Sequence, residues 1–180
     1  MSIETTNILV LCTGNSARSI LGEAIVNRLG GGRFRGFSAG SFPKGQIHPG
    51  ALRLLERLGY PTDGLRSKSW DEFAGPDAPR IDVVITVCDN AAGEICPIWP
   101  GHPVKAHWGL PDPAAVDGDD AAVDAAFEAA HGALTARIAK LIELPIRDRD
   151  VVPALAIRQR LQAIHDDLTE VEAAPDGVQA

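Results

Sequence analysis

The residues of this sequence best suited to chemistry lie in one short segment, Cys-Thr-Gly-Asn-Ser-Ala-Arg-Ser, from Cys12 to Ser19. An apolar run at 7–11 precedes it and a helical pattern follows, so we predict a strand, a loop and a helix. The backbone N–H groups of such a loop converge on a tetrahedral anion at the positive end of the helix. Arg18 can bind two oxygens of that anion through its planar guanidinium. The same positive field favours a nucleophilic thiolate at Cys12.

The loop therefore predicts an oxyanion site with a nucleophile at its floor. Taken alone, a Cys at the end of a buried strand is usually an apolar core residue, and an Arg near a helix start is usually a surface residue. The joint spacing, with a glycine and an asparagine inside the loop, favours the functional interpretation. The residues expected to bind the anion are Thr13, Gly14, Asn15, Ser16, Ala17, Arg18 and Ser19.

The order Cys, five residues, Arg and Ser resembles the phosphate loop of the low-molecular-weight tyrosine phosphatase family, and more closely its arsenate reductase branch. Ser38-Ala39-Gly40 and Asp112-Pro113 also match family segments, and the resemblance covers about residues 7–142. Phosphatases of this family usually carry a second Cys before the Arg, where this chain has Ala17. The resemblance implies a phosphatase-like domain in which Asp112 is the general acid that protonates a leaving oxygen. Asp beside Pro is also common in turns for conformational reasons alone.

Two further cysteines, Cys88 and Cys96, favour reduction over hydrolysis. A hydrolase of this type needs one thiol, whereas arsenate reduction consumes two electrons and needs a second thiol to form a disulfide. The resemblance to three-cysteine, thioredoxin-coupled arsenate reductases implies that Cys12 attacks, Cys88 resolves and Cys96 completes an outward disulfide. The eight-position spacing from Cys88 to Cys96 is one longer than in that family.

Other interpretations of these thiols stay open. Cys88 at a buried strand end can be purely structural. A zinc site would use Cys88, Cys96, His102 and His107, although their spacing does not match the short cysteine knuckle. We expect His107 to orient the loop that carries the acid, rather than to act in catalysis.

Two features bear on ligands. The residue after Asp112-Pro113 is Ala114, and the stretch 112–124 lacks the aromatic residues that phosphotyrosine phosphatases use, which favours a small oxyanion. The resemblance also implies a potassium ion bound by Asn15, Glu23, Ser38 and Asp71. Glu23 and Asp71 can equally be solvated surface acids. No tightly bound cofactor is expected.

The composition fits a single enzyme core. The chain has 180 residues, 45% of them hydrophobic, and a net charge of −7 that argues against a nucleic-acid partner. No apolar run is long enough to span a bilayer, and the N-terminus lacks a secretion signal, so we expect a cytoplasmic protein without a membrane partner.

Alternating strand and helix patterns predict an α/β fold, a three-layer sandwich with a four-stranded parallel sheet flanked by helices. We predict strands at 7–12, 34–38, 82–87 and 104–108, helices at 17–29, 49–58 and 121–142, and a turn at 70–73. Residues 1–144 form the predicted catalytic domain and 145–180 a C-terminal extension. That extension has a helical stripe within 151–168, namely Leu155, Ile157, Leu161, Ile164 and Leu168, and a frayed end at 169–180.

The loop motif, the three cysteines and the family resemblance are compatible with two functions. One is reduction of arsenate to arsenite through Cys12, Cys88 and Cys96, with phosphate and sulfate as competing anions. The alternative is a phosphotyrosine or phosphomonoester phosphatase that uses Cys12, Arg18 and Asp112. The electron donor of the reductase is left open between thioredoxin, a glutaredoxin with glutathione, and another small thiol.

Overall fold

The fold is an α/β sandwich, seen in a computed structural model that describes residues 4–148 and 151–174. Four strands form one parallel sheet in the order β2-β1-β3-β4: Thr6–Cys12 (β1), Phe34–Gly40 (β2), Val83–Thr86 (β3) and Val104–His107 (β4). The described residues also form five α-helices: Arg18–Leu29 (α1), Pro49–Arg57 (α2), Asp89–Gly93 (α3), Asp120–Leu141 (α4) and Ala154–Ala173 (α5). The predicted four-stranded parallel sheet flanked by helices is confirmed.

The buried strands explain why their sequences are apolar without alternation. Ile8 and Val10 of β1 pack into the larger core cluster, to which α1, α2, α4 and α5 contribute, while Leu9 and Leu11 pack into a smaller cluster with Trp99 on the other face. A strand covered on both faces reads as a continuous hydrophobic run. Within the described residues, no helix is both long and apolar enough to cross a membrane.

The strand register brings three loops to one edge of the sheet. Leu11 of β1 is level with Thr86 of β3, which is level with His107 of β4. The segments that follow these residues therefore leave the sheet side by side at its carboxyl edge, where α/β folds bind ligands. A 3-10 helix at Trp70–Phe73 takes the place of the predicted turn.

Helix α5 packs against the main core. The indole N–H of Trp108 donates a hydrogen bond to the Leu161 carbonyl at 2.9 Å, and Ile157, Leu161 and Ile164 are buried in the larger cluster. The prediction that Leu155 shares this stripe is wrong, because Leu155 is 64% exposed. It stands two residues from Ile157, which places it about 200° around the helix.

The predicted fraying from residue 169 is wrong as far as Ala174, because an ion pair anchors the end of α5. Arg137 of α4 is fully buried and donates to both carboxylate oxygens of Glu172, at 2.8 and 3.0 Å. It also donates to the Thr169 hydroxyl at 3.0 Å. The rest of the predicted frayed end, 175–180, lies outside the described residues.

We predict that Arg137→Met lowers the free energy of unfolding by about 2–4 kcal/mol, because Glu172 and Thr169 lose their buried donor. The matched control is Arg57→Gln, since Arg57 makes an exposed ion pair with Glu128 and its loss should cost less than about 1 kcal/mol. Urea denaturation monitored by circular dichroism measures both. Equal losses in the two variants would contradict the anchoring role of Arg137.

Candidate active site

The anion loop after β1 has its carbonyl groups bonded on its outer side. Backbone N–H groups of Phe42, Lys44 and His48 donate to the carbonyls of Thr13, Gly14 and Ser16 at 3.0, 2.9 and 2.9 Å. These hydrogen bonds fix the loop through its carbonyl oxygens. The loop's own N–H donors are thereby left for an anion, and they stand at the start of α1, where the helix dipole adds positive potential.

Asn15 and Gly40 allow the chain to take this shape. Asn15 has a backbone φ of 42°, in the left-handed region that asparagine tolerates better than most residues. A Cβ atom on Gly40 would lie 2.4 Å from the Thr13 carbonyl oxygen, so only glycine lets β2 pass so close beneath the loop. The segment Ser38-Ala39-Gly40 is thus constrained by contact with the loop.

Cys12 lies at the floor of a cavity of about 210 Å³ at the carboxyl edge of the sheet. Its Sγ is 2.9 Å from the Ser19 hydroxyl oxygen, which also accepts a hydrogen bond from the Asn15 side-chain amide at 2.8 Å. With its oxygen occupied as an acceptor, Ser19 is oriented to donate to a thiolate at Cys12. The cavity is lined by Cys12, Thr13, Gly14, Ser16, Ala17, Arg18, Phe42, Lys44, Cys88, Asn90, Asp112 and Ala114.

Arg18 and Asp112 form an ion pair in the wall of this cavity. One terminal nitrogen of Arg18 donates to the Leu110 carbonyl at 2.6 Å, and the other lies 3.5 Å from Asp112 Oδ2. Arg18 Nε is buried without a hydrogen-bond partner among the described residues, so it is a donor that an anion in the loop can use. Asp112 Oδ1 accepts from the Ala114 N–H at 3.0 Å, which directs the carboxyl group.

Cys12 and Cys88 line the same cavity, whereas Cys96 does not. Cys88 follows β3, which ends at Thr86 rather than at the predicted Val87, and its sulfur is 3.5 Å from Thr13 Oγ1. As the residue that caps α3, Cys88 accepts a hydrogen bond from the Ala91 N–H at 3.4 Å. Cys96 lines a separate cavity with Lys105, where burial raises the pKa of its thiol.

His107 contacts the start of α3, and its ring also lies beside Gly109 in the segment that leads to Asp112. Its role in orienting that segment stays a prediction. Its ring nitrogens lie 2.8 Å from Thr86 Oγ1 and 2.9 Å from Asp89 Oδ1. The alternative zinc site finds no support in the geometry. Across residues 4–148 and 151–174, no three His, Cys, Asp or Glu side chains are grouped to hold a metal ion.

Three residues that line the cavity are not predicted by any sequence motif: Phe42, Lys44 and Asn90. Phe42 is 74% exposed and supplies an aromatic ring to the wall where Ala114 supplies none. The lack of aromatic residues in 112–124 therefore does not leave the cavity without an aromatic ring. One residue, Ser41, separates Phe42 from the Ser38-Ala39-Gly40 segment. Only the pairing of β2 with β1 shows that Phe42 lies next to the anion loop.

The side chains expected to bind potassium do not surround an ion as they stand. The Ser38 hydroxyl donates to Glu23, and the Lys68 ammonium lies 3.6 Å from the same carboxylate oxygen. Asp71 is exposed, and its carboxylate accepts a hydrogen bond from the Ser69 hydroxyl at 3.3 Å. Burial raises the pKa of Glu23 and lowers that of Lys68, and each charge opposes the shift of the other.

Comparison with known proteins agrees with this geometry. The family model for low molecular weight phosphotyrosine protein phosphatases matches residues 7–149. Arsenate reductases of Bacillus licheniformis and Bacillus subtilis are 32% and 30% identical over 76% and 78% of this chain, and over 94% and 98% of their own lengths. A solved structure, an arsenate reductase in the phosphate binding state, has a TM-score of 0.63 at 27% identity and covers 77% of this chain and 98% of that one.

A Cys–Arg loop at the carboxyl edge of a four-stranded parallel sheet defines a phosphatase-type fold with a cysteine at the start of its anion loop. The chain belongs to the low molecular weight phosphotyrosine protein phosphatase family. Helix α5 begins at Ala154, beyond the matched region.

We predict that Ser19→Ala slows alkylation of Cys12 by iodoacetamide at neutral pH about tenfold, because a hydrogen bond to a charged group is worth about 1.5–3 kcal/mol. Ser67→Ala is the control, since the Ser67 hydroxyl donates to the Gly14 carbonyl on the outer side of the loop. Peptide mapping assigns the alkylated site. If both variants react at the wild-type rate, Ser19 does not stabilise the thiolate.

Proposed function

We propose that the protein reduces arsenate to arsenite, with Cys12 as the nucleophile. The observation that carries the proposal is that Cys12 and Cys88 line one cavity together with Arg18. Hydrolysis of a phosphate ester needs only the first thiol. A second thiol in the same cavity gives the site the two electrons that reduction of As(V) to As(III) requires.

The first step is capture of the oxyanion. Arsenate binds to the N–H donors of the loop and to Arg18, and the Cys12 thiolate forms a bond to arsenic. An oxygen leaves as water after it receives a proton from Asp112, which stands 3.5 Å from Arg18. Arg18 and the helix dipole stabilise the negative charge that accumulates on the oxyanion.

The second step is reduction. The Cys88 thiolate attacks the Cys12 sulfur, a Cys12–Cys88 disulfide forms, and the electron pair of the sulfur–arsenic bond stays on arsenic, which leaves as arsenite. Cys88 is suited to this attack because its sulfur faces the cavity and accepts the Ala91 N–H. One arsenate is thus reduced for each dithiol oxidised.

Cys96 completes the relay in the proposal. Its thiolate attacks the Cys88 sulfur, which forms a Cys88–Cys96 disulfide and frees Cys12. A disulfide needs Cα atoms within about 7 Å, so α3 must open, and this helix is only five residues long. Such a short helix is marginal by itself, and it can open when the His107–Asp89 contact breaks.

The surroundings of Cys96 favour a protein disulfide reductant such as thioredoxin as the electron donor. Ile95 and Ile98 flank the thiol and are 98% and 86% exposed. Apolar side chains exposed beside a redox thiol provide a surface that a folded protein can cover, whereas a small thiol has no need of one. We propose a cytoplasmic location, where such reductants keep thiols reduced.

Phosphomonoester hydrolysis is the second candidate function, and Phe42 favours it. The exposed ring of Phe42 lies on the cavity wall beside Ala114, where it can stack against the ring of an aryl phosphate. This reaction uses Cys12 as nucleophile, Arg18 as anion ligand and Asp112 as acid, and leaves Cys88 and Cys96 unused.

One pair of variants separates the two functions. We predict that Cys88→Ser reduces arsenate turnover at least a hundredfold but leaves slow hydrolysis of para-nitrophenyl phosphate, because hydrolysis needs no resolving thiol. Cys12→Ser should remove both activities, since both begin at that thiolate. The measurements are arsenate-dependent NADPH oxidation with a thioredoxin system and release of nitrophenol. Wild-type arsenate turnover by Cys88→Ser would exclude the relay and leave the phosphatase as the function.

A further inference from the structure

A buried ion pair lies behind the anion loop, on the side away from the cavity. Glu23 of α1 and Lys68 are 9% and 8% exposed, and the Lys68 ammonium is 3.6 Å from Glu23 Oε2. The ammonium also donates to the Arg66 carbonyl at 3.0 Å, and the Ser38 hydroxyl donates to the same Glu23 oxygen. The pair is therefore held by neutral hydrogen-bonding groups as well as by its own charges.

Hydrogen bonds connect this pair to the nucleophile. The Lys68 backbone N–H donates to the Asn15 side-chain oxygen at 2.9 Å, and the Lys68 carbonyl accepts from Gly40 at 3.0 Å. The amide nitrogen of Asn15 in turn donates to Ser19, whose hydroxyl oxygen is 2.9 Å from Cys12 Sγ. A shift of Lys68 would thus move the amide that orients Ser19.

Glu23 needs a positive partner in this position. A carboxylate removed from water is costly unless an opposite charge compensates it. A free ion must be drawn from solution, whereas the ammonium of Lys68 is tethered by its own chain and is present at any salt concentration. An alkali ion bound to Glu23 would also stand close to the ammonium and be repelled by it.

The other expected potassium ligands make hydrogen bonds that fix their positions. Asn15 Oδ1 accepts the Lys68 N–H, the Ser38 hydroxyl donates to Glu23, and Asp71 bonds to Ser69 at the surface. These residues do not fit a potassium ion while Lys68 is in place.

We propose that Lys68 is the resident cation of this site: its ammonium takes the position beside Glu23 and holds the 66–69 segment against the anion loop, so that turnover is independent of alkali-metal ions. Lys68 is a positioning residue, because it acts on Cys12 through Asn15 and Ser19. The proposed role of Lys68 rests on the proposed function only for the turnover measurement, whereas thermal unfolding tests it independently.

The test compares potassium chloride with choline chloride at equal ionic strength. Wild type, Lys68→Ala and Lys68→Met are assayed for arsenate turnover with thioredoxin, and for thermal unfolding without arsenate. Lys140→Ala, which removes an exposed lysine of α4, is the control and should behave as wild type.

Wild type should show the same rate and the same Tm in both salts. Lys68→Ala opens space beside Glu23, so it should lose at least tenfold in kcat in choline chloride and recover most of it in potassium chloride, with a higher Tm. Lys68→Met keeps the bulk without the charge, so it should lose activity that potassium does not restore. Recovery by potassium in the alanine variant alone distinguishes a missing cation from general damage.

Three results would overturn the proposal. One is a wild-type rate or Tm that is higher in potassium chloride, which would mean that potassium binds beside Lys68. The second is full activity of Lys68→Ala in choline chloride, and the third is a folded Lys68→Ala that potassium does not restore. If Lys68→Ala does not fold, the wild-type comparison decides. A Tm of Lys68→Ala that rises with potassium, together with a wild type that does not reduce arsenate, would support the proposed role of Lys68 and exclude the proposed arsenate reduction.

Discussion

The hydrogen bonds of the Asn15 side chain fix the anion loop, and the rest of the site depends on the shape of that loop. Asn15 is fully buried and adopts a left-handed backbone conformation, which an L-residue keeps only when its surroundings enforce it. Its amide donates to Ser19 and accepts from the Lys68 backbone. One side chain therefore orients the hydroxyl beside Cys12 and joins the loop to the buried charges behind it.

The proposed relay requires an ordered Cys12 and a movable Cys88 at the same cavity. Cys12 leads into a loop in which three carbonyls accept hydrogen bonds from neighbouring N–H groups, whereas Cys88 caps a helix of five residues. Short helices have little stability apart from tertiary contacts. The hydrogen bond between His107 and Asp89 is one tertiary contact that stabilises α3. Breaking it costs little, since Asp89 is exposed to water.

Local patterns were sufficient to predict most of the fold and the floor of the site. Apolar runs specify the strands, and the loop from Cys12 to Arg18 contains its own nucleophile and anion ligand. The aromatic wall at Phe42 and the buried cation at Lys68 could not be predicted, because each depends on a contact between segments far apart in the chain. In sequence, Lys68 stands between two serines and near Arg66, a pattern typical of a solvated surface. The order of α5 beyond residue 168 was missed for the same reason, since Arg137 lies 35 positions before Glu172.

Trapping the disulfide product tests the proposed reduction by Cys12 and Cys88 most directly. Fully reduced Cys96→Ser, which lacks the last thiol of the relay, is mixed with one equivalent of arsenate, quenched in acid and analysed by peptide mass mapping. We expect one Cys12–Cys88 disulfide for each arsenite released, and no disulfide when phosphate replaces arsenate. Release of arsenite with both cysteines still reduced would contradict reduction by this thiol pair.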